Sequence, residues 1–196
     1  MGPANFESKM KTSIQFFNAL TIFVFMWGLH FGHSGSSDSK SQRKDEDITR
    51  FYCTNATIMT LFTTVSPQEC KTDRVNKTSN ESTEFQRTFN SSNMKTLNLR
   101  GTFTNARKSV KYETYDAMDV TEMEGNWYHK FEELLFTFDS DNCGIFFVAP
   151  WGRRGNDYEL RVKNGAQGNK GCFEKFTSHT KKAGSSSRIQ NCSKTS

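Results

Sequence analysis

The stretch that most constrains the fold of this chain runs from Phe131 to Cys172. It contains three short runs rich in aromatic and β-branched residues, Glu133 to Phe138, Cys143 to Ala149 and Tyr158 to Lys163. The first two runs are separated by Asp-Ser-Asp-Asn, and the second and third by Pro-Trp-Gly-Arg-Arg-Gly-Asn-Asp. Both separating segments favour turns. The pattern therefore predicts two consecutive hairpins in an antiparallel sheet.

Five further runs upstream predict strands of similar length, spaced by about ten residues. Turn-like segments rich in Asn, Ser and Pro separate them. Eight short strands with this spacing indicate an all-β protein, either a sandwich or an up-and-down antiparallel barrel. The upstream runs are Ile58 to Val65, Glu69 to Val75, Glu84 to Phe89, Thr96 to Phe103 and Val110 to Asp116.

One helix is predicted after the last strand. From Cys172 to Lys182 the chain places Phe173 and Phe176 three positions apart, with charged residues between them and basic residues before Gly184. This is typical of an amphipathic helix with a defined end. We expect the helix to pack on the outside of the barrel and the residues after it to form a flexible tail.

The N-terminus has the pattern of a secretory signal. Lys9 and Lys11 precede an apolar run from Ala19 to Leu29, and small and polar residues follow it. The run is shorter than the roughly 20 residues that a membrane-spanning helix needs, although a retained anchor is the alternative. Cleavage is expected between Ser34 and Ser39, which would release the protein to the extracellular space.

These boundaries predict three segments. Residues 1–35 are expected to be the signal peptide, with Met10 as an alternative start. Residues 36–57 are expected to be flexible, with a short helical turn between Asp45 and Cys53. Residues 58–196 are expected to form the barrel, its helix and the tail.

Secretion determines how the cysteines and several asparagines are interpreted. Five cysteines in an oxidising compartment predict two disulfides and one cysteine left over, and composition alone leaves the pairing open. Five Asn-X-Ser/Thr sequences predict N-linked glycans at surface positions. The acceptor residues are Asn55, Asn76, Asn80, Asn90 and Asn191.

A search for catalytic and metal-binding patterns gives a negative result. His129 and His179 lack the spacing of metal ligands, and the nucleophile elbow, phosphate loop and dinucleotide fingerprint are absent from the sequence. Glu132 and Glu133 are adjacent, so on a strand they would point to opposite faces, and a solvated position is predicted for both. We therefore expect a monomeric binding protein rather than an enzyme, with no metal, cofactor, nucleic-acid or membrane partner.

Seven segments of the sequence, taken together, carry a resemblance to a known family. They are ECKTDRV (69–75), EFQRTF (84–89), LNLRGTF (97–103), TYDAMDV (114–120), KFEELLFTFDSDNCGIFFV (130–148), YELRVKN (158–164) and C-x-x-x-F (172–176). They resemble the tick salivary lipocalins of the histamine-binding protein family, especially its leukotriene-binding branch, over nearly the whole mature chain. The resemblance implies an eight-stranded barrel with an internal ligand cavity, an exterior C-terminal helix and the disulfides Cys70–Cys192 and Cys143–Cys172, with Cys53 left over.

Alternation along the strands predicts which side chains line the interior of such a barrel. On the last strand an apolar set is predicted to face inward and a charged set outward, and two other strands have similar inward apolar sets. The apolar set is Tyr158, Leu160 and Val162, and the charged set is Glu159, Arg161 and Lys163. The other inward sets are Leu134, Phe136 and Phe138, and Leu97, Leu99 and Phe103.

Arg87 lies between Phe85 and Phe89 on one face of its strand. If that face is interior, Arg87 is a buried cation that would bind the carboxylate of a fatty-acid-derived mediator. The alternative is that Arg87 reaches the opening of the barrel or pairs with a structural acid. Tyr112 and Trp151 are further candidates for contacts near the opening.

The resemblance implies that the protein sequesters a small inflammatory mediator of the host, either a lipid such as a leukotriene or an amine such as histamine. An amine would need inward carboxylates, for which Glu113, Asp116 and Glu133 are candidates, so the sequence favours an apolar or anionic lipid. The alternative function is inhibition of a host complement, clotting or immune protein through loops near Trp127 and Trp151, with a vestigial cavity.

Overall fold

The computed structural model describes residues 46–90, 94–106, 114–125, 127–152 and 155–192. Within these ranges eight strands of the barrel follow one another: Thr57–Thr63 (β1), Lys71–Thr78 (β2), Ser82–Phe89 (β3), Lys95–Thr104 (β4), Ala117–Glu122 (β5), His129–Phe138 (β6), Cys143–Pro150 (β7) and Asp157–Lys163 (β8). Each strand pairs antiparallel with the next, and β1 pairs with both β2 and β8. The sheet therefore closes into an up-and-down barrel, which confirms the all-β prediction and excludes the sandwich.

Two helices and a short ninth strand complete the described part of the chain. Helix α1 (Ile48–Phe51) is capped by Asp47, whose side chain accepts a hydrogen bond from the Thr49 backbone N–H at 3.0 Å. Helix α2 (Lys170–Lys182) is capped in the same way by Asn169. Strand β9 (Gln190–Asn191) pairs with β1. The prediction of a C-terminal helix is confirmed, although the helix begins at Lys170, two residues before the predicted start at Cys172.

The predicted position of the fifth strand is wrong. Strand β5 begins at Ala117, whereas the sequence predicted a strand from Val110 to Asp116, of which residues 110–113 lie outside the described ranges. The Asp116 carboxylate accepts a hydrogen bond from the Ala106 backbone N–H at 2.8 Å. Asp116 therefore stabilises the connection that precedes β5, which is the use of Asp that favours turns over strands.

Helix α1 packs inside one end of the barrel. Phe51 and Tyr52 are fully buried in the interior hydrophobic cluster, and the Phe51 ring packs edge-on against Phe146 with centroids 5.1 Å apart. Gly144 faces the same space, where an added Cβ would lie only 2.7 Å from a Phe51 ring carbon. A glycine is required there because any side chain would displace the α1 residues that close this end.

Helix α2 packs on the outer surface of the barrel. Phe176 and Cys172 are fully buried in a second hydrophobic cluster, which also contains Leu160 and Val162 of β8 and Ile145 of β7. This outer cluster is separate from the interior cluster. The C-terminal helix therefore lies outside the barrel, as the sequence predicted.

Two disulfides join the described elements, and both have the pairing implied by the resemblance. Cys143–Cys172 connects β7 to α2, and Cys70–Cys192 connects the start of β2 to the residue after β9. Among the described cysteines Cys53 is unpaired. Chain-entropy arguments give these cross-links up to about 3.6 and about 4.9 kcal/mol of stabilisation, respectively. None of the helices in the described ranges is long and apolar enough to cross a membrane.

Replacing Phe176 by Ala tests the packing of α2. Phe176 is fully buried against the outer face of β8, so Phe176→Ala is expected to lower the free energy of unfolding by about 3–5 kcal/mol. Phe173 lies on the same helix and is 45% exposed, so the matched Phe173→Ala variant is expected to lose about 1 kcal/mol or less. Urea unfolding followed by circular dichroism measures both, and equal losses would contradict the described packing.

Candidate ligand-binding interior

The inward face of β8 carries charges. Glu159 and Arg161 are at most 1% exposed, and both have their bonding partners inside the barrel. Leu160 and Val162 point outward, where α2 covers them, and partly buried Tyr158 lies beside them in the outer cluster. Apolar and charged residues alternate along β8 as predicted, but the set predicted to face inward faces outward. The sequence pattern does not indicate which side of a strand a helix will cover.

Strand β6 changes face at a bulge. Leu134 lies inside as predicted, but the register shifts between Leu134 and Phe136, so Phe136 and Phe138 lie in the outer cluster. Both were predicted to line the interior, and that prediction is wrong. Glu132 precedes the bulge and is fully buried inside, so the solvated position predicted for it is also wrong.

Arg87 is fully buried and is saturated by structural partners. Its Nε and Nη2 donate to the two carboxylate oxygens of Asp73, each at 2.7 Å. Its Nη1 donates to Glu132 Oε1 at 2.7 Å and to the Tyr128 hydroxyl oxygen at 2.6 Å. The structure therefore has Arg87 paired with acids, which was the alternative to direct binding of a ligand carboxylate.

Arg161 joins the same network from the opposite side of Glu132. Its Nη1 donates to Glu132 Oε2 at 2.5 Å and to the Tyr52 hydroxyl at 2.6 Å, and its Nε donates to Glu159 Oε2 at 2.8 Å. The Lys71 ammonium donates to the other Glu159 oxygen. Three acids and three cations are thus paired inside the barrel: Asp73, Glu132 and Glu159 with Lys71, Arg87 and Arg161. We call these six residues the interior ion-pair network.

The network holds its carboxylates in the charged form. Burial alone would raise the pKa of the Glu132 carboxyl, but the positive charges of Arg161, Arg87 and Lys71 outweigh burial and hold the pKa well below its usual value. The pKa of Glu159 is lowered for the same reason. Groups with lowered pKa values stabilise the fold above their unfolded pKa of about 4.5, and this stabilisation is lost as pH falls through the lowered values.

The network reaches one end of the barrel through weaker pairs. Lys71 Nζ lies 3.6 Å from Glu69 Oε2, and Glu69 Oε1 lies 3.6 Å from the Nζ of Lys130 at the start of β6. Both outer residues are partly exposed, so this extension contributes little to stability. We call this end, which is opposite α1 and holds the connections β1–β2, β3–β4, β5–β6 and β7–β8, the mouth.

Apolar side chains line the interior beside the network. Phe85, Leu99 and Val120 are at most 1% exposed and belong to the interior cluster, and Phe89 packs against it while partly buried. Among the residues predicted to contact a ligand, Phe85, Phe89 and Leu99 therefore face the interior, whereas Tyr112 lies outside the described residues. Leu97 and Phe103 also lie inside. The apolar side chains and the paired charges are in contact, since the Arg87 guanidinium carbon lies 5.2 Å from the centre of the Phe85 ring.

The unused hydrogen-bonding capacity of this interior includes a donor on Tyr128 and acceptors outside the network. Among the described residues the buried Oε2 atoms of Glu69 and Glu122 have no hydrogen-bond partner, and Glu122 lies opposite the interior residue Leu99. Each of the six carboxylate oxygens in the network already accepts at least one hydrogen bond. The Tyr128 hydroxyl accepts from Arg87, and among the described residues its own hydrogen has no acceptor. Burial raises the Tyr128 pKa, so the hydroxyl keeps that hydrogen at neutral pH. The geometry therefore favours a ligand that brings an oxygen acceptor to Tyr128.

The predicted surface residues have varied environments. Asn55, Asn76 and Asn80 are exposed, whereas Asn90 and Asn191 are partly buried. Trp127 and Trp151 at the mouth are 60% and 52% exposed. Lys95 Nζ lies 3.4 Å from the centre of the Trp127 ring, and His129 stacks on Trp151 with centroids 4.3 Å apart. Both tryptophans are thus supported by neighbours although they project into solvent.

The fold is that of the lipocalins, as comparison with solved structures shows. Lobster apocrustacyanin A1 matches with a TM-score of 0.51 and 11% identity over 72% of this chain and 76% of that one. Apocrustacyanin C2 matches with a TM-score of 0.50 and 11% identity over 72% and 77%. A mutant of LTBP1 in complex with leukotriene C4 matches with a TM-score of 0.46 and 15% identity over 77% and 90%.

At these identities the likeness concerns the fold alone. No protein-family model and no curated protein sequence matches this chain. What the inward-facing residues can bind therefore follows from their own contacts.

Replacing Arg87 by Met tests the interior ion-pair network. The change leaves Asp73 and Glu132 buried with fewer partners, so Arg87→Met is expected to lower the free energy of unfolding by about 3–5 kcal/mol. Arg100 on β4 forms an ion pair with Glu84 in which both side chains are partly exposed, so Arg100→Met is a matched control with an expected loss of about 1 kcal/mol or less. Chemical denaturation at neutral pH measures both losses, and a small effect of Arg87→Met would show that the network is not buried.

Proposed function

We propose that this protein is a secreted, non-enzymatic binding protein that holds one small molecule inside its barrel. The signal-like N-terminus and the two disulfides support secretion. The closed barrel, whose interior has both apolar side chains and paired polar groups, supports binding within it, since small-molecule sites combine an apolar lining with a few placed polar groups. Exposed Asn55, Asn76 and Asn80 are the positions we propose for glycans.

The ligand we propose has an apolar body and an oxygen-bearing head group. The observation that carries this proposal is that every carboxylate oxygen of the interior ion-pair network is already paired, while the Tyr128 hydroxyl has a hydrogen to donate. A cationic amine could use the carboxylates of the network only by displacing Arg or Lys, which is costly. Outside the network it would have Glu122, whose buried Oε2 has no hydrogen-bond partner among the described residues. A fatty-acid derivative instead places its chain along Phe85, Leu99 and Val120 and its oxygen at Tyr128.

Arg87 acts indirectly in this proposal. It donates to the Tyr128 hydroxyl oxygen at 2.6 Å, so the hydroxyl hydrogen is directed elsewhere and is available to a ligand. Arg87 is thus a positioning residue, and Tyr128 is the residue that contacts the ligand. The resemblance to tick salivary lipocalins supports a mediator of host inflammation, such as a leukotriene, as the molecule that is sequestered.

Binding measurements on the mature glycosylated protein test the proposal. Native mass spectrometry and calorimetric titration are run with leukotrienes, a thromboxane analogue, arachidonic acid, histamine and serotonin. We expect one-to-one, sub-micromolar binding of a fatty-acid derivative and weaker binding of both amines. Tyr128→Phe is expected to weaken lipid binding by about 2- to 10-fold, which is the range for one hydrogen bond.

Tyr158→Phe is the matched control because Tyr158 lies on the outer face beside α2. It is expected to bind lipid like the original protein. Tighter binding of histamine or serotonin than of every lipid would refute the head-group assignment. Absence of binding across the panel by folded protein would refute the carrier proposal.

A second function is supported by the apolar rim of the mouth. Within the described ranges, four exposed large apolar side chains lie in or beside its connections, and Trp and Met are enriched at protein interfaces. These residues are Met94, Met123, Trp127 and Trp151. In this alternative the rim binds a host complement, clotting or immune protein. The double variant Trp127→Ser/Trp151→Ser separates the two functions, since it would abolish inhibition in a complement or clotting assay while leaving lipid binding unchanged.

A further inference from the structure

One of the five predicted glycan acceptors, Asn191, is next in sequence to a disulfide. In Asn191-Cys192-Ser193 a cysteine stands between the acceptor asparagine and the hydroxyl residue that glycosylation requires. That cysteine is bonded to Cys70, which immediately precedes β2. In the other four acceptor sequences the middle residue is Ala, Lys, Glu or Ser. At Asn191, unlike at the other acceptors, a residue within the acceptor sequence can therefore be cross-linked.

The folded chain holds Asn191 in a paired strand. In β9 it lies opposite Phe62 of β1, so the two side chains point to the same side of the sheet. Phe62 packs against the outer cluster, and the centre of its ring lies 5.2 Å from that of Phe173 on α2. Asn191 is partly buried, and Cys192 is 6% exposed. In this conformation the Asn191 side chain belongs to a packed surface, whereas a glycan acceptor must be accessible.

The disulfide also restrains the backbone of the acceptor sequence. Glycosyl transfer requires the asparagine and the Ser or Thr two positions later to enter one enzyme site together. The bond fixes the residue between them to a segment 122 positions earlier in the chain, which would have to accompany the acceptor into the enzyme. Conversely, a bulky glycan on Asn191 would point to the side of Phe62 and would oppose the pairing of β9 that brings Cys192 to Cys70.

We propose that the Cys70–Cys192 disulfide and a glycan on Asn191 exclude each other, so that Asn191 is modified only on chains in which this bond has not formed. This inference rests on the proposed secretion, because both reactions take place in the secretory pathway. Bond formation transfers two electrons and two protons from the two thiols to a disulfide oxidant, which becomes a dithiol. Glycosylation forms a C–N bond from the oligosaccharide to Asn191 Nδ2 and breaks its C–O bond to a lipid pyrophosphate, while a proton leaves the nitrogen to solvent. Whichever reaction comes first prevents the other.

Glycan occupancy at each acceptor, in secretory cells that express the full chain, tests the proposal. Mass spectrometry of peptides measures occupancy at Asn191 in protein from inside the cells and from the medium. Cys70→Ser leaves the acceptor sequence intact but removes the partner of Cys192, so Asn191 occupancy is expected to rise several-fold. Cys53→Ser removes the cysteine that is unpaired among the described residues, and as the matched control it is expected to leave Asn191 occupancy unchanged.

A second measurement uses the unsubstituted chain and so does not depend on how the variants fold. Dithiothreitol added during synthesis keeps the thiols reduced, and Asn191 occupancy is expected to rise several-fold. Asn80, an exposed residue between β2 and β3, has no cysteine in its acceptor sequence and is expected to keep its occupancy. Because the glycan is added before export, the protein inside the cells also reports occupancy for a variant that is not exported.

Equal Asn191 occupancy in the unsubstituted and Cys70→Ser proteins would overturn the proposal, whether that occupancy is high or zero. Peptide mapping without reduction that finds the glycan and the Cys70–Cys192 bond on the same molecule would also overturn it. If Asn55 or Asn80 carries a glycan in these experiments, the proposed secretion still stands. Glycans at none of the five acceptors would overturn this proposal and the proposed secretion together.

Discussion

The pairing of Glu132 with both Arg87 and Arg161 is the interaction on which the interior of this barrel depends. One carboxylate of β6 receives hydrogen bonds from an arginine of β3 and an arginine of β8, so it connects strands on different sides of the barrel. The Tyr52 hydroxyl, next to α1, accepts a hydrogen bond from Arg161 and donates one to Asp73 at 2.8 Å. Asp73 in turn accepts hydrogen bonds from Arg87. The interior ion-pair network thus connects the strands of the barrel to the residues beside α1 that close one end.

This arrangement also determines what the interior can bind. Buried charges are tolerated only when they are paired and hydrogen-bonded, and here every carboxylate oxygen of the network accepts a hydrogen bond. Among the described residues the Tyr128 hydroxyl keeps a hydrogen that it can donate, and Glu122 Oε2 is a buried acceptor without a hydrogen-bond partner. The Tyr128 donor beside apolar side chains is the basis of the oxygenated lipid that we propose, whereas an amine would depend on Glu122.

The sequence predicted the fold well because strand periodicity and turn chemistry are local properties. Seven of the eight barrel strands were placed near their observed positions, and the outer helix followed from the spacing of Phe173 and Phe176. The interior was predicted poorly because inside and outside are decided by distant contacts. Leu160 and Val162 are apolar because α2 covers them, and Phe136 changes face at a bulge that the sequence does not mark. The alternation of Glu159, Arg161 and Lys163 was visible, but only the closed sheet brings their partners Lys71 and Glu132 beside them.

Glu132 is ionised and buried between two arginines, and its titration tests this most directly. The carboxyl carbon of Glu132 can be followed by NMR in selectively labelled protein as the pH is lowered from neutral. The account predicts that this carbon keeps the chemical shift of a carboxylate well below pH 4.5 and changes only at a much lower pH or when the barrel unfolds. A reversible transition of folded protein at or above pH 4.5 would show that the arginines do not hold Glu132 in its charged form, and would contradict the interior ion-pair network.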